Sequence, residues 1–385
     1  MPDTYSIFIK MTNTNLNTPG SSQPGGMEGD TGVEGDNAFL LTKYSRGAGC
    51  GCKIAPSVLE AILKSNIFYP PDKNLLVGNN TNDDAAVYDL GNGMGLVSTT
   101  DFFMPVVDDA YHFGRIASAN AISDVYAMGA KPLMAVAILG WPVDTLPTTL
   151  AQKVLEGARA VCLEAGISLA GGHSIDTTEP IFGLAVTGLV VIKNLKQNNT
   201  AQENDLLFLT KPIGVGILST AQKRGLLKEE HINMLISQMS TLNKVGVLLG
   251  SVEEVTAMTD VTGFGLLGHL IEMAEGSGLS AELYYSKLPV IMGAREYLAQ
   301  RIVPDATYRN WNSYSTKTSF EKGLNVMEAF NLLPDPQTNG GILFSVKECA
   351  VEKVKNLLKE NGLEDFIEPI GKFIVKEEKL ILVKK

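Results

Sequence analysis

The first 38 residues carry neither of the two hydrophobic periods that make regular structure. They are rich in Asn, Thr, Gly, Ser and Pro and include Gly25-Gly26-Met27-Glu28-Gly29-Asp30. Such a composition predicts a disordered tail over 1–38. From Thr42 onward, short apolar runs of strand length alternate with stretches of helical period, the pattern of a mixed α/β (α+β) protein. Strands are expected at 85–90, 95–101, 133–139 and 183–192. Leu150, Val154, Ala158, Val161 and Cys162 recur at helical spacing, so an amphipathic helix buries that side and puts Cys162 in the core. A second helix, over 113–128, stops at Gly129 with Pro132 beyond it. Asp124 sits one turn from that end, near the negative pole of the helix, at a penalty of at most roughly 1 kcal/mol that some other contact must offset. The polar stretch 194–204 precedes a strand at 206–210 and is the expected boundary between domains 39–195 and 196–385. At roughly 150 residues per domain, the length agrees with two domains.

Charge and composition narrow the classes. Lys and Arg number 32 against 42 Asp and Glu, a net charge of −10, so no overall positive field gathers nucleic acid or anionic lipid. The longest apolar stretches, such as 181–192, fall short of the roughly 18 residues that a spanning helix needs, so no membrane is expected. The N-terminus lacks a basic segment ahead of an apolar one, which makes a cytoplasmic location the expectation. Four cysteines in 385 residues do not build a disulfide framework. Any thiol with a task is then a candidate for chemistry.

The densest chemical signal is Gly47-Ala48-Gly49-Cys50-Gly51-Cys52-Lys53, two thiols and an amine among glycines. It reads as a mobile reactive loop in which the Lys53 ammonium favours thiolate at Cys50 or Cys52, with a zinc half-site or a plain glycine turn as alternatives. Zinc is disfavoured because Cys162 and Cys349 are single and distant. A second signal is a set of aspartates ending apolar runs: Asp83-Asp84, Thr100-Asp101, Ser123-Asp124 and Thr259-Asp260. Carboxylates brought together repel unless cations lie between them, and hard cations such as Mg²⁺ bridge oxygen ligands to phosphates. A magnesium-nucleotide site fits the set, whereas any one aspartate alone is more simply a turn or cap. Adjacent Asp83 and Asp84 are expected to face opposite ways.

No GxxxxGK[ST] loop occurs, so a P-loop nucleotide site is excluded. Gly263-Phe264-Gly265-Leu266-Leu267-Gly268 matches the dinucleotide fingerprint, with Glu282 at a suitable distance, but Asp260 just before it opposes a pyrophosphate. Gly171-Gly172-His173-Ser174 reads as a close-approach loop, and Asn339-Gly340 before a strand at 342–346 reads as a hairpin entrance. His112, His231 and His269 are assigned to structure or surface.

Leu41-Thr42-Lys43-Tyr44-Ser45 running into Gly49-Cys50-Gly51-Cys52-Lys53, then Asn82-Asp83-Asp84, Thr99-Thr100-Asp101, Asn120-Ala121-Ile122-Ser123-Asp124, 259–265 and Asp335-Pro336-Gln337-Thr338, closely resemble the selenophosphate synthetase (selenide, water dikinase) family, in order, from about Thr42 to the C-terminus. The resemblance implies ATP-dependent phosphorylation of selenide to selenophosphate, with AMP and orthophosphate released, on the two-domain fold of aminoimidazole ribonucleotide synthetase. It implies a homodimer as well, and a selenium-delivery protein is a candidate partner. Position by position, Cys50 matches the catalytic cysteine and Lys53 the essential lysine. Asp84, Asp124 and Asp260 match magnesium ligands. Lys53, Thr81, Asn82, Asp83, Asp101, Asp124, Gly172, His173 and Ser174 match ATP-contacting positions. Asn339 stands where the family pattern has serine. The other readings are a purine-pathway or thiamine monophosphate kinase type enzyme of the same fold and a non-catalytic nucleotide-binding regulator.

Overall fold

The computed structural model describes residues 39–45, 47–54, 56–63, 72–78 and 83–385. The expected tail over 1–38, Thr81, Asn82 and the side chains of Cys50 and Cys52 lie outside the described residues.

Strands β1 (Leu75–Val77), β2 (Ala86–Asp89), β3 (Met94–Phe103), β4 (Lys131–Trp141), β5 (Ser168–Asp176) and β6 (Ile181–Val191) form one sheet, in the order β1-β2-β3-β6-β4-β5. All neighbours are antiparallel except the parallel pair β4 and β5. A second sheet holds β7 (Leu206–Leu209), β8 (Val255–Asp260), β9 (Ser280–Tyr284), β10 (Thr318–Phe320), β11 (Ile342–Val346), β12 (Gly371–Ile374) and β13 (Ile381–Lys384), in the order β10-β13-β9-β12-β7-β11-β8. The helices are α1 (Pro56–Leu63), α2 (Ala110–Ala127), α3 (Thr148–Ala165), α4 (Val215–Lys223), α5 (Glu229–Ser240), α6 (Val245–Gly250), α7 (Gly265–Gly276), α8 (Ala294–Ala299), α9 (Asp305–Tyr314), α10 (Val326–Leu332) and α11 (Val351–Glu360).

Helix α2 organises the first sheet. The Asp109 carboxylate caps its start by accepting the His112 N–H at 2.7 Å. Gly129, at φ +70°, ends it where the sequence places the stop. A glycine inside a helix costs about 1 kcal/mol relative to alanine. Gly114 is nevertheless required, because a Cβ there would collide with the Val154 carbonyl of α3, and one at Gly157 would collide with the Tyr111 carbonyl of α2. The two helices therefore cross at backbone contact. Cys162 is buried in α3, as expected, and burial pushes its thiol up to about 11.

Strand alternation splits the first sheet. Val97 and Phe103 are buried on the side that carries Thr99 and Asp101 toward α2. Tyr88, Phe102, Met134, Val136 and Ile175 share the other face by register, and all are exposed.

Two local expectations are corrected. Residues 171–174 lie within β5, an edge strand, and do not form a loop. Asn339-Gly340 does not open a hairpin, because β11 runs between β7 and β8, both distant in sequence. Asn339 does take the left-handed conformation of a turn residue, φ +49°, but it delivers the chain into a strand paired on both sides, next to the edge strand β8.

Candidate active site

Three of the aspartates converge from separate elements. Asp84, in the bend before β2, accepts the Thr259 hydroxyl of β8 on Oδ1 at 2.9 Å. Asp124, on α2, accepts the Thr99 hydroxyl of β3 on Oδ2 at 2.6 Å. Asp260 ends β8, opposite Ile342 of β11. Burial, and then the charge of Asp260, hold Asp84 and Asp124 well above the usual carboxylate range, with each also feeling a further aspartate. Asp260 is raised as well by burial, against a bond from Ser123 and the charges of Lys53 and Lys211. Asp84 Oδ2 and Asp260 Oδ2 are buried with no hydrogen-bond partner. Buried carboxylate oxygens left unpaired are costly unless something charged comes to meet them.

Lys53 brings a positive charge that Asp124 and Asp260 both feel. Its Nζ lies 3.6 Å from Asp101 Oδ2, which also accepts the Asn120 amide at 2.6 Å. Asn120 Oδ1 in turn accepts the backbone N–H of Asn339 at 2.7 Å. A polar chain thus runs from the 335–341 segment through α2 and β3 to the lysine. Asn339 is anchored by its amide donating to the Met239 and Thr241 carbonyls at 2.6 and 2.9 Å. Lys211 Nζ donates to the Thr241 and Asn339 carbonyls at 2.7 and 2.9 Å, and burial pulls its pKa down to about 7.

The backbone of the 47–53 loop is fixed from several directions. The Gly49 N–H donates to the Met104 carbonyl at 3.1 Å. Gly49 has φ +50°, and a Cβ there would press on Thr338 and Val106, so glycine is needed twice over. Lys223 of α4 donates to the Ser45 and Gly47 carbonyls at 2.9 and 3.1 Å, and Arg309 of α9 donates to the Gly51 carbonyl at 2.8 Å.

Other sequence-derived positions fall elsewhere. Asp83 and Asp84 lie ahead of β2 and not in a strand, and they have different partners, Asp83 accepting the Asn198 N–H at 2.7 Å. Gly172, His173 and Ser174 lie on β5, separated from Asp101 on β3 by β6 and β4, and this chain does not bring them to the carboxylates. The glycines at 263–268 do bridge a strand to a helix, but a Cβ at Gly265 would strike the backbone at Pro334 and Asp335, so they serve close packing. Asp335 and Gln337 cap α4, taking the Gly216 N–H at 3.0 Å and the Gly214 and Val215 N–H groups at 3.2 and 3.1 Å. Asn120, Thr99, Thr259 and Lys211 have no assigned role in the sequence reading. Asn120 stands four residues before Asp124 and so on the same helix face, and Thr99 and Thr259 stand inside motifs that carry the family resemblance, whereas Lys211 has no such signal.

Among the described residues, no three His, Cys, Asp or Glu side chains form a group able to hold an ion by themselves. The donor set still suits Mg²⁺, which is ordinarily held by one or two carboxylates together with waters and substrate phosphates. The unpartnered oxygens of Asp84 and Asp260 are the sites such an ion would use.

Residues 82–190 match the N-terminal domain of AIR synthase related proteins, and residues 202–383 match their C-terminal domain. A selenide, water dikinase of Aeromonas salmonicida is 55% identical over 335 residues, covering 87% of this chain and 95% of the relative. Another, of Photorhabdus laumondii, is 56% identical over 328 residues, covering 84% and 92%. The chain belongs to the selenide, water dikinase family. Solved structures extend the fold beyond that family. Thiamine-monophosphate kinase from Stenotrophomonas maltophilia superposes with a TM-score of 0.60 at 20% identity, covering 81% of this chain and 92% of that one. The hydrogenase maturation protein HypE in complex with ATP gives 0.60 at 19% identity, covering 89% and 94%. In this selenide, water dikinase family member the loop that carries Cys50 and Cys52 ends at Lys53, which is tied to the carboxylate cluster through Asp101.

Proposed function

We infer that the protein phosphorylates selenide at the expense of ATP, giving selenophosphate, AMP and orthophosphate. The observation that carries this reading is the convergence of Asp84, Asp124 and Asp260, two of them with orphaned oxygens, beside the Lys53 ammonium. Hydrogen selenide is already an anion near neutral pH, so the obstacle is its repulsion by a polyanionic triphosphate. Asp84, Asp124 and Asp260 would hold Mg²⁺, which when bound neutralises phosphate charge and orients the phosphoryl groups. Lys53, steered by Asp101 and Asn120, adds a fixed positive charge where two anions must meet. Thr99 and Thr259 keep their carboxylates aimed, so that the site is organised before nucleotide arrives. Cys50 is assigned to selenium, as a covalent holder or a shield.

The reading extends to a homodimer. Gly172, His173 and Ser174 are far from Asp101 within one chain, while β5 and the apolar sheet face are exposed. A second copy laid on that face would bring these residues to a nucleotide bound by its partner. Anaerobic phosphorus NMR of the protein with ATP and magnesium tests the function. Selenophosphate and AMP are expected only when selenide is added. ADP as the sole nucleotide product, or intact ATP, would overturn the assignment.

A further inference from the structure

A cavity of about 360 Å³ opens between the 47–51 loop, α4 and α9. Its charged lining is Lys223, Arg224 and Arg309 against Asp305 alone, an excess of positive charge in a protein whose net charge is −10. The three cations are exposed, whereas Ser219, deeper on α4, is only 6% exposed and its hydroxyl has no hydrogen-bond partner. Ser219 lines the cavity, and a buried hydroxyl without a partner is one that a ligand atom can satisfy. A much smaller gap, about 10 Å³, adjoins this cavity through Gly51, Ala306 and Arg309, and Lys53 lines it. Among the described residues the cavity wall includes none of Asp84, Asp101, Asp124 or Asp260.

We propose that this cavity is the inlet for the small anionic chalcogenide, drawn by Arg224, Lys223 and Arg309, held at Ser219 and passed along Gly51 to Lys53. The inference rests on the functional reading above and adds the route by which the second anion arrives. Two anions cannot share one approach without repelling, and the aspartate side suits a cation-loaded triphosphate. A positive mouth with low-dielectric walls raises the local concentration of a monoanion and its rate of capture. The loop that bears Cys50 forms part of the wall, so an anion in the cavity is beside that loop before it meets phosphate.

The test is anaerobic steady-state kinetics of the full chain with selenide and ATP varied separately. Arg224→Gln is expected to raise the KM for selenide about tenfold, with the KM for ATP and kcat within about twofold. Ser219→Ala should raise the selenide KM less, and Arg224→Lys should restore it. Added KCl should lower kcat/KM for selenide in the unsubstituted protein and do so more weakly in Arg224→Gln. An active parent protein whose selenide KM is unmoved by Arg224→Gln and Ser219→Ala rules out the inlet while leaving the function standing. An equal rise in both KM values, uncorrected by lysine, marks a structural defect and also rules it out. A parent that makes no selenophosphate overturns the functional reading itself, and the inlet with it.

Discussion

Glu272 lies on α7 three residues after His269, with Oε2 3.6 Å from His269 Nδ1 and 21% of its side chain exposed. His269 Nε2 accepts the Thr262 N–H at 3.1 Å, so the ring proton sits on Nδ1 and faces Glu272. Burial pushes the histidine down to about 3 and the glutamate up to about 7, with Lys53 and Lys317 pulling the glutamate the other way. A carboxyl raised above its unfolded value of about 4.3 gives stability that is full below that value and lost as pH rises through about 7. Glu272→Gln cannot ionise. Its thermal midpoint should therefore fall less than the parent's between pH 5 and pH 8, about the span of this titration. A parallel fall in both proteins, followed by circular dichroism, would show that Glu272 is not the group responsible. At this scale the sequence was only partly legible. The aspartates and Lys53 stand out because they end apolar runs or sit among glycines. Thr99, Thr259 and Lys211 do not, because a lone hydroxyl or amine has no period and its partner is settled only by tertiary approach.

Elements with a buried face declared themselves, and elements without one did not. The 3.6-residue period of α3 and the apolar runs of β3, β4 and β6 follow from having a core side to fill. β5 reads Ser-Leu-Ala-Gly-Gly-His-Ser-Ile-Asp and is largely exposed at a sheet edge, so no alternation was imposed on it and its glycines suggested a loop. Asn339-Gly340 misled for a related reason, since a left-handed residue is a local property and which strand receives the chain is not. The crossing of α2 and α3 is the element-scale feature most exposed to test. Gly157→Ala must push the helices apart, because its Cβ would overlap the Tyr111 carbonyl and crowd the Arg115 N–H. Overpacking of this kind costs about 3 kcal/mol. The urea midpoint should drop accordingly, and the KM for ATP should rise too, since α2 carries both Asn120 and Asp124. A midpoint equal to the parent's would mean that the crossing has slack.

Over the whole molecule, the unsolved distance is that between β5 and β3. Three strand spacings separate them, about 14 Å, and the sheet in between is fully paired. His173 shares the exposed face with Phe102, Val136 and Ile175, where a second copy would bury apolar surface now in water. If the proposed dimer forms there, each nucleotide site draws its carboxylates from one chain and its 172–174 strand from the other. Two crippled proteins should then rescue each other. Asp84→Asn removes a proposed magnesium ligand, and His173→Glu places a negative charge where triphosphate is expected, so each homodimer should be nearly inactive. Unfolded and refolded together in equal amounts, half the dimers are mixed. Each mixed dimer pairs one doubly damaged site with one intact site, so activity should return to about a quarter of the parent's. Sites completed within one chain would all remain damaged in the mixture. Selenophosphate production no greater than that of the separate variants, with dimers confirmed by sedimentation, would show that 172–174 do not complete the partner's nucleotide site.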